Sequence, residues 1–125
     1  MGVVNVEKRG GVIYAEFVGE MDLNLIQSAA FKMIDLMDLD GRTSVLYNVL
    51  GMKMPGVEIT RWMQKFGPLL DSRVEQCAAV VPDFFMAAQT KAAFINVRNH
   101  RQFENVEAAL SWLEQKRTRL RERTG

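Results

Sequence analysis

Ser44-Val45-Leu46-Tyr47-Asn48-Val49 is of strand length and almost continuously apolar. A strand with one wet face alternates apolar and polar residues. This run does not, so it reads as a strand buried on both faces. Such strands belong to parallel sheets whose crossovers lay helices against them. Gln76-Cys77-Ala78-Ala79-Val80-Val81 repeats the pattern, and Pro82 closes it. Between the two runs, Ile59, Trp62, Met63, Phe66, Leu69 and Leu70 recur at helical spacing. Gly51-Met52-Lys53-Met54-Pro55-Gly56 reads as the loop that leads into this helix. Pro68 lacks a backbone N–H, so the helix is expected to kink or stop near Phe66-Gly67.

Toward the N-terminus, Val4-Asn5-Val6-Glu7 alternates, and Val12-Ile13-Tyr14-Ala15-Glu16-Phe17-Val18 is rich in β-branched and aromatic residues. Arg9-Gly10-Gly11 between them reads as a hairpin turn. Asp22 suits an N-cap. Leu23, Ile26, Ala30, Met33, Ile34 and Met37 then form one helical stripe, with Gly41 available as a left-handed C-cap. Toward the C-terminus, Asp83 suits an N-cap for a helix through about Phe94. Val97-Arg98-Asn99-His100-Arg101-Gln102-Phe103 reads as a polar strand near a sheet edge. Asn105 caps a last helix with Glu107 in its first turn. The expected order is β-β-α-β-α-β-α-β-α. This is an α/β fold with a mixed, mostly parallel sheet of about five strands and covering helices.

Composition narrows the classes of function. The chain has 125 residues, 48% hydrophobic and 25% charged, with a formal charge of +1. That is the make-up of one domain, here residues 1–125. So small a charge gives no bulk attraction to nucleic acid, and no specific nucleic-acid partner is expected. One Cys with one His cannot supply a zinc cage or a disulfide framework. With no signal-like start and no run near the roughly 20 apolar residues of a membrane span, a reduced, cytoplasmic setting is expected. Residues 114–125 form a basic helical tail. Lys116, Arg117, Arg119, Arg121 and Arg123 face only Glu114 and Glu122, a net +3 that leaves −2 on the rest of the chain. Cations at a helix C-terminus are ordinary, and any attraction to acidic lipid would be weak and sensitive to salt.

The element order, together with Gln102-Phe103-Glu104-Asn105-Val106-Glu107-Ala108-Ala109-Leu110-Ser111-Trp112-Leu113, resembles the STAS family (sulfate transporter and anti-sigma factor antagonist domains) and its SpoIIAA-like branch. Phe103, Glu107, Ala108 or Ala109, Trp112 and Leu113 fit the strand-then-helix ending of that branch. The likeness spans about residues 3–115. It implies a small module that binds something and does not transform it, so a non-enzymatic protein without a cofactor is expected. In the anti-sigma antagonists it also implies a phosphorylated Ser, following an Asp, at the start of the second helix. This chain departs there: no Ser lies between Asn48 and Thr60, and Thr60 sits about a turn into the helix. A phosphate at that depth would meet N–H groups already used by the helix, which argues against a phosphoswitch.

No catalytic constellation emerges from the residues. Cys77, within a run of Ala and Val, reads as a structural thiol. His100, between Asn99 and Arg101, reads as facing solvent. Asp35, Asp38 and Asp40 lie at a helix end and do not form a calcium loop, so no metal is expected. Phe31 projects from the polar side of the first helix. Trp112 and Leu113 read as core contacts of the last helix, with Trp112→Ala expected to cost roughly 3–5 kcal/mol. The informative feature is methionine and aromatic enrichment around the second helix. Met52 and Met54 flank its entry loop, Trp62 and Met63 follow, and Phe84-Phe85-Met86 opens the third helix. Successive helical residues cannot all face one side. The expectation is a movable apolar wall of Met52, Met54, Trp62 and Met63 facing Phe85 across a groove, and binding an apolar small molecule or a protein partner. Trp62, Met63 and Phe66 also fit a plain core stripe. The alternative is weak membrane association through the Met/Phe surface and the basic tail; pairing of two copies stays open.

Overall fold

The computed structural model describes residues 2–37, 43–71, 73–95, 97 and 99–124, with side chains as far as Gln115 apart from those of Leu70 and Asp71. In chain order the elements are β1 (Val3–Arg9), β2 (Val12–Gly19), α1 (Leu23–Leu36), β3 (Thr43–Met52), α2 (Val57–Asp71), β4 (Val74–Val80), α3 (Phe84–Ala93), β5 (His100–Phe103) and α4 (Val106–Thr124). The sheet runs β1-β2-β3-β4-β5, with β1 antiparallel to β2 and the remaining pairs parallel.

Spatial order equals chain order, and that places the helices. Each βαβ crossover is right-handed, so a sheet that grows in one direction lays every crossover helix on the same face. Accordingly α1, α2 and α3 share one core with Ile13, Ala15, Phe17, Tyr47 and Val49. The chain turns back only after the last strand. Thus α4 lies alone on the opposite face, where Ala109 and Leu113 pack on Leu46, Ala78 and Val80. The continuous apolar character of β3 and β4 follows, since both strands have helices on either side.

Local chemistry sets the joints. Gly10 adopts φ +59° in the β1–β2 turn, a conformation open to glycine at little cost. The Asp22 carboxylate accepts from the Leu25 N–H at 2.8 Å, the Asp83 carboxylate from the Met86 N–H at 2.8 Å, and the Asn105 side-chain oxygen from the Ala108 N–H at 2.8 Å. Each satisfies a donor that a helix start leaves orphaned.

Four local expectations need correction. Helix α1 ends at Leu36, with Met37 extended (φ −73°, ψ 141°) and its N–H donating to the Ile34 carbonyl; the expected Gly41 cap lies outside the described residues. Strand β3 continues through Gly51 and Met52 because Met52 pairs with Gly19, so the loop begins only at Lys53. Helix α2 does not stop at Phe66-Gly67 but runs to Asp71 with Pro68 inside it. A proline ring normally collides with the Cβ of the preceding residue, and Gly67 has none. A Cβ at Gly67 would also stand 2.9 Å from Val97 Cγ2, so glycine there lets the chain before β5 cross closely over α2. Finally, β5 is the edge strand as expected but covers only His100–Phe103.

Candidate functional site

Between the sheet and its three-helix face lies a cavity of about 70 Å³. Its floor is Phe17, Tyr47 and Val49. Helix α1 contributes Ala29, Ala30 and Met33; helix α2 contributes Ile59, Met63 and Phe66; helix α3 contributes Met86 and Ala93, with Phe94 capping its C-terminus; and Met52 and Pro55 stand at the β3 end. One water needs roughly 10–15 Å³ of such space. The cavity therefore holds a few waters or a small organic molecule, and its methionine walls can re-pack around a larger guest.

An aromatic row runs from the floor toward β5. Phe17 stacks with Tyr47 at 6.2 Å, Tyr47 tilts onto Phe94 at 5.0 Å, and Phe94 lies flat on His100 at 4.6 Å and 6°. Burial pushes the Tyr47 hydroxyl well above its ordinary pKa, with Cys77 adding to the effect, so the phenol stays neutral. The wall has one polar stretch. Thr60, 9% exposed, accepts a hydrogen bond at Oγ1 from Gln89 Nε2, with the buried Thr90 alongside. Gln64 Nε2 donates to the Ala92 carbonyl at 3.0 Å and ties α2 to α3.

Of the residues expected to form the apolar wall, Met52 and Met63 line the cavity and three do not. Met54 lies on the loop and is 54% exposed. Trp62 is half-buried and stacks on Phe66 at 4.6 Å, so it backs the wall without entering the space. Phe85 is 73% exposed, and Met86, 4% exposed, takes the inward place. The reason is angular. The Asp83 cap fixes where α3 begins, and successive residues point about 100° apart, so only one of Phe84, Phe85 and Met86 faces the sheet. Phe31 is 62% exposed, as its polar neighbours suggest.

The sequence reading missed Ala29, Ala93 and Phe94 as wall residues, and Gln89 and Thr90 as its polar part. For Ala29, Ala93, Gln89 and Thr90 the only sequence signal is small or polar character inside otherwise apolar helices, and Phe94, just past the end of α3, gives no signal beyond being aromatic. A vacancy is not a periodicity, so no pattern announces it.

The two candidate reactive groups behave differently from one another. Cys77 is buried, and burial pushes its thiol well above the ordinary range, which suppresses thiolate. His100 does not face solvent. It pairs with Cys77 across β4–β5, its ring lies on Phe94, and its Nε2 is buried with no hydrogen-bond partner among the described residues. Burial lowers its pKa to about 4. The polar neighbours of His100 misled because a strand points alternate residues to opposite faces, and His100 falls on the helix-covered one. Among the described residues no group of three or more His, Cys, Asp or Glu is placed to hold a metal ion, and no helix is long and apolar enough to cross a membrane.

Comparison with solved structures matches the architecture. An uncharacterized protein of the DUF3478 family from Shewanella loihica PV-4, described as having a SpoIIAA-like fold, superposes with a TM-score of 0.66. The match covers 90% of this chain and 93% of that one at 12% identity. The fold is SpoIIAA-like. An anti-sigma factor antagonist from Mycobacterium paratuberculosis gives a TM-score of 0.63 at 11% identity, covering 91% of this chain and 95% of the other. No family model and no curated protein matches the chain. At identities this low, the superpositions establish the shared STAS-like fold alone. The resemblance to the anti-sigma antagonists leads to the expectation that no hydroxyl near the start of α2 serves as a phosphate acceptor. Here Thr60 is buried and its oxygen is engaged by Gln89.

Proposed function

We propose that this protein is a non-catalytic binding module that holds a small apolar molecule between its sheet and helices α1, α2 and α3. The observation that carries the reading is the cavity of about 70 Å³, walled by Met33, Met52, Met63 and Met86 over an aromatic floor. A vacancy among well-buried apolar side chains forfeits dispersion contacts, and a guest of matching polarity restores them. The non-catalytic half of the reading draws on the buried Cys77 thiol, whose thiolate form burial suppresses.

The test is a titration with toluene followed by NMR of the methionine methyl groups. Saturable shifts confined to Met33, Met52, Met63 and Met86 are expected. Ala93→Leu, which places extra carbon in the space, should weaken binding at least tenfold. Absence of saturable shifts in the wild-type protein overturns the reading.

A second reading, docking of a protein partner, is favoured by a different observation. Phe84 and Phe85 are 81% and 73% exposed and stand edge to face at 6.1 Å at the start of α3, an apolar pair presented to solvent. The fold is also that of an anti-sigma factor antagonist, a protein named for acting on another protein. Weak membrane association would use the same pair together with Lys116, Arg117, Arg119, Arg121 and Arg123, whose side chains lie outside the described residues. Loss of partner capture or vesicle binding on Phe84→Ser with Phe85→Ser, with toluene binding retained, would separate these readings from the cavity.

A further inference from the structure

We propose that the cavity is built for a guest bearing one neutral hydrogen-bonding group, a hydroxyl or a carbonyl, which docks on Thr60 and Gln89. The inference rests on the cavity reading above and adds the chemistry of the ligand's polar end.

Thr60 and Gln89 put polar atoms into a wall that is otherwise almost wholly apolar. Polar groups in such surroundings are costly unless their hydrogen-bonding capacity is used. The pair satisfies itself only in part. Gln89 Nε2 donates one hydrogen to Thr60 Oγ1, and the Thr60 backbone N–H goes to the Gly56 carbonyl at 3.3 Å. Among the described residues the Thr60 hydroxyl hydrogen, the second Nε2 hydrogen and the Oε1 of the half-buried Gln89 have no further protein partner. Two donors and an acceptor beside an apolar space match an alcohol, a ketone, an ester or an amide.

Charge discriminates further. Among the described residues no Lys, Arg or His lines the cavity, and its phenol, Tyr47, is held neutral by burial. A carboxylate entering there would surrender its hydration with no countercharge to replace it. The site therefore selects a neutral head group over an acidic one.

The experiment compares three ring-sized probes, toluene, phenol and benzoate, by NMR titration at pH 7.5 against the wild-type chain and against Thr60→Val with Gln89→Leu. The quantity read is the ratio of the toluene Kd to the phenol Kd. It should fall about tenfold in the double variant, the loss of one to two net hydrogen bonds. Benzoate should bind wild type at least tenfold more weakly than phenol. Thr60→Val alone, which keeps the side-chain shape, should move the ratio in the same direction, so the outcome does not depend on the double variant folding. A merely structural cross-link between α2 and α3 would weaken both neutral probes together and leave the ratio unchanged. An unchanged ratio, or benzoate binding as tightly as phenol, overturns the head-group inference while the cavity reading stands. Failure of toluene and phenol alike to bind wild type overturns both.

Discussion

On the α4 side of the sheet, Ala109 and Leu113 are fully buried against Leu46, Ala78 and Val80. On the other side, a larger cluster under three helices surrounds about 70 Å³ of free space. Both faces use small residues, but to opposite effect. Ala78 on β4 and Ala109 on α4 let a single helix approach the strands closely, so their small size is absorbed by contact. Ala29, Ala30 and Ala93 sit on helices held apart by one another and by the aromatic floor, so theirs is left as vacancy. The contact of α4 with the strands is packed closely, whereas the space under the three helices leaves room for a guest.

The sharpest way to break this comparison is to truncate the tight face. Leu113→Ala should cost about 4 kcal/mol in denaturant unfolding, since a fully buried leucine leaves a cavity that rigid neighbours do not fill. Trp112→Ala should cost less, about 2 kcal/mol. Its ring is half-buried, tilted onto Phe103 at 5.5 Å with the Arg101 guanidinium 5.9 Å from its centroid, so the sequence-based expectation of a full core residue is too large. A Trp112 cost equal to that of Leu113 would show that α4 is packed along more of its circumference than the structure allows.

Acid should find the looser face. His100 on the cavity side has its pKa lowered to about 4, whereas in the unfolded chain it titrates near the ordinary value of about 6.5. Between those two values the unfolded chain takes up a proton that the folded chain refuses, so stability falls as pH falls. The loss should total about 3 kcal/mol once pH is below both values. His100→Phe keeps a ring on Phe94 and should remove this component from the difference between pH 7 and pH 4. If wild type and variant lose stability in parallel, the histidine is not buried as described.

Overpacking separates the faces most directly. Ala109→Leu should destabilise by about 2 kcal/mol, because no space adjoins it. Ala93→Leu should change stability by less than about 1 kcal/mol, because its added atoms enter the cavity. Equal costs would show that the two faces are packed alike. The smallest effect belongs to Phe85→Ser, within about 0.5 kcal/mol, as for an exposed residue whose contribution to the core is slight.

Much of the architecture was legible in the sequence. The largely apolar runs at residues 44–49 and 76–81 pointed to two-sided burial, and the helices packed on both faces of β3 and β4 supply it. Asp22, Asp83 and Asn105 were readable as caps because capping is a contact over three residues, which a local pattern records. Those are local rules, and the chain carries them in its spacing. The cavity, its polar pair and the burial of His100 are not local. Gln89 reaches Thr60 across 29 positions, and His100 meets Phe94 only because β5 lies at the edge beside β4. Which of Met52, Met54, Trp62, Met63 and Phe85 enters the free space depended on helix phase and strand length, each set by neighbours distant in sequence. The sequence by itself determined the order of strands and helices and which strands would be buried on both faces; the side each helix takes followed from the strand order of the folded sheet. Only the tertiary structure decided where volume would be missing, because a void is a property of side chains that fail to meet.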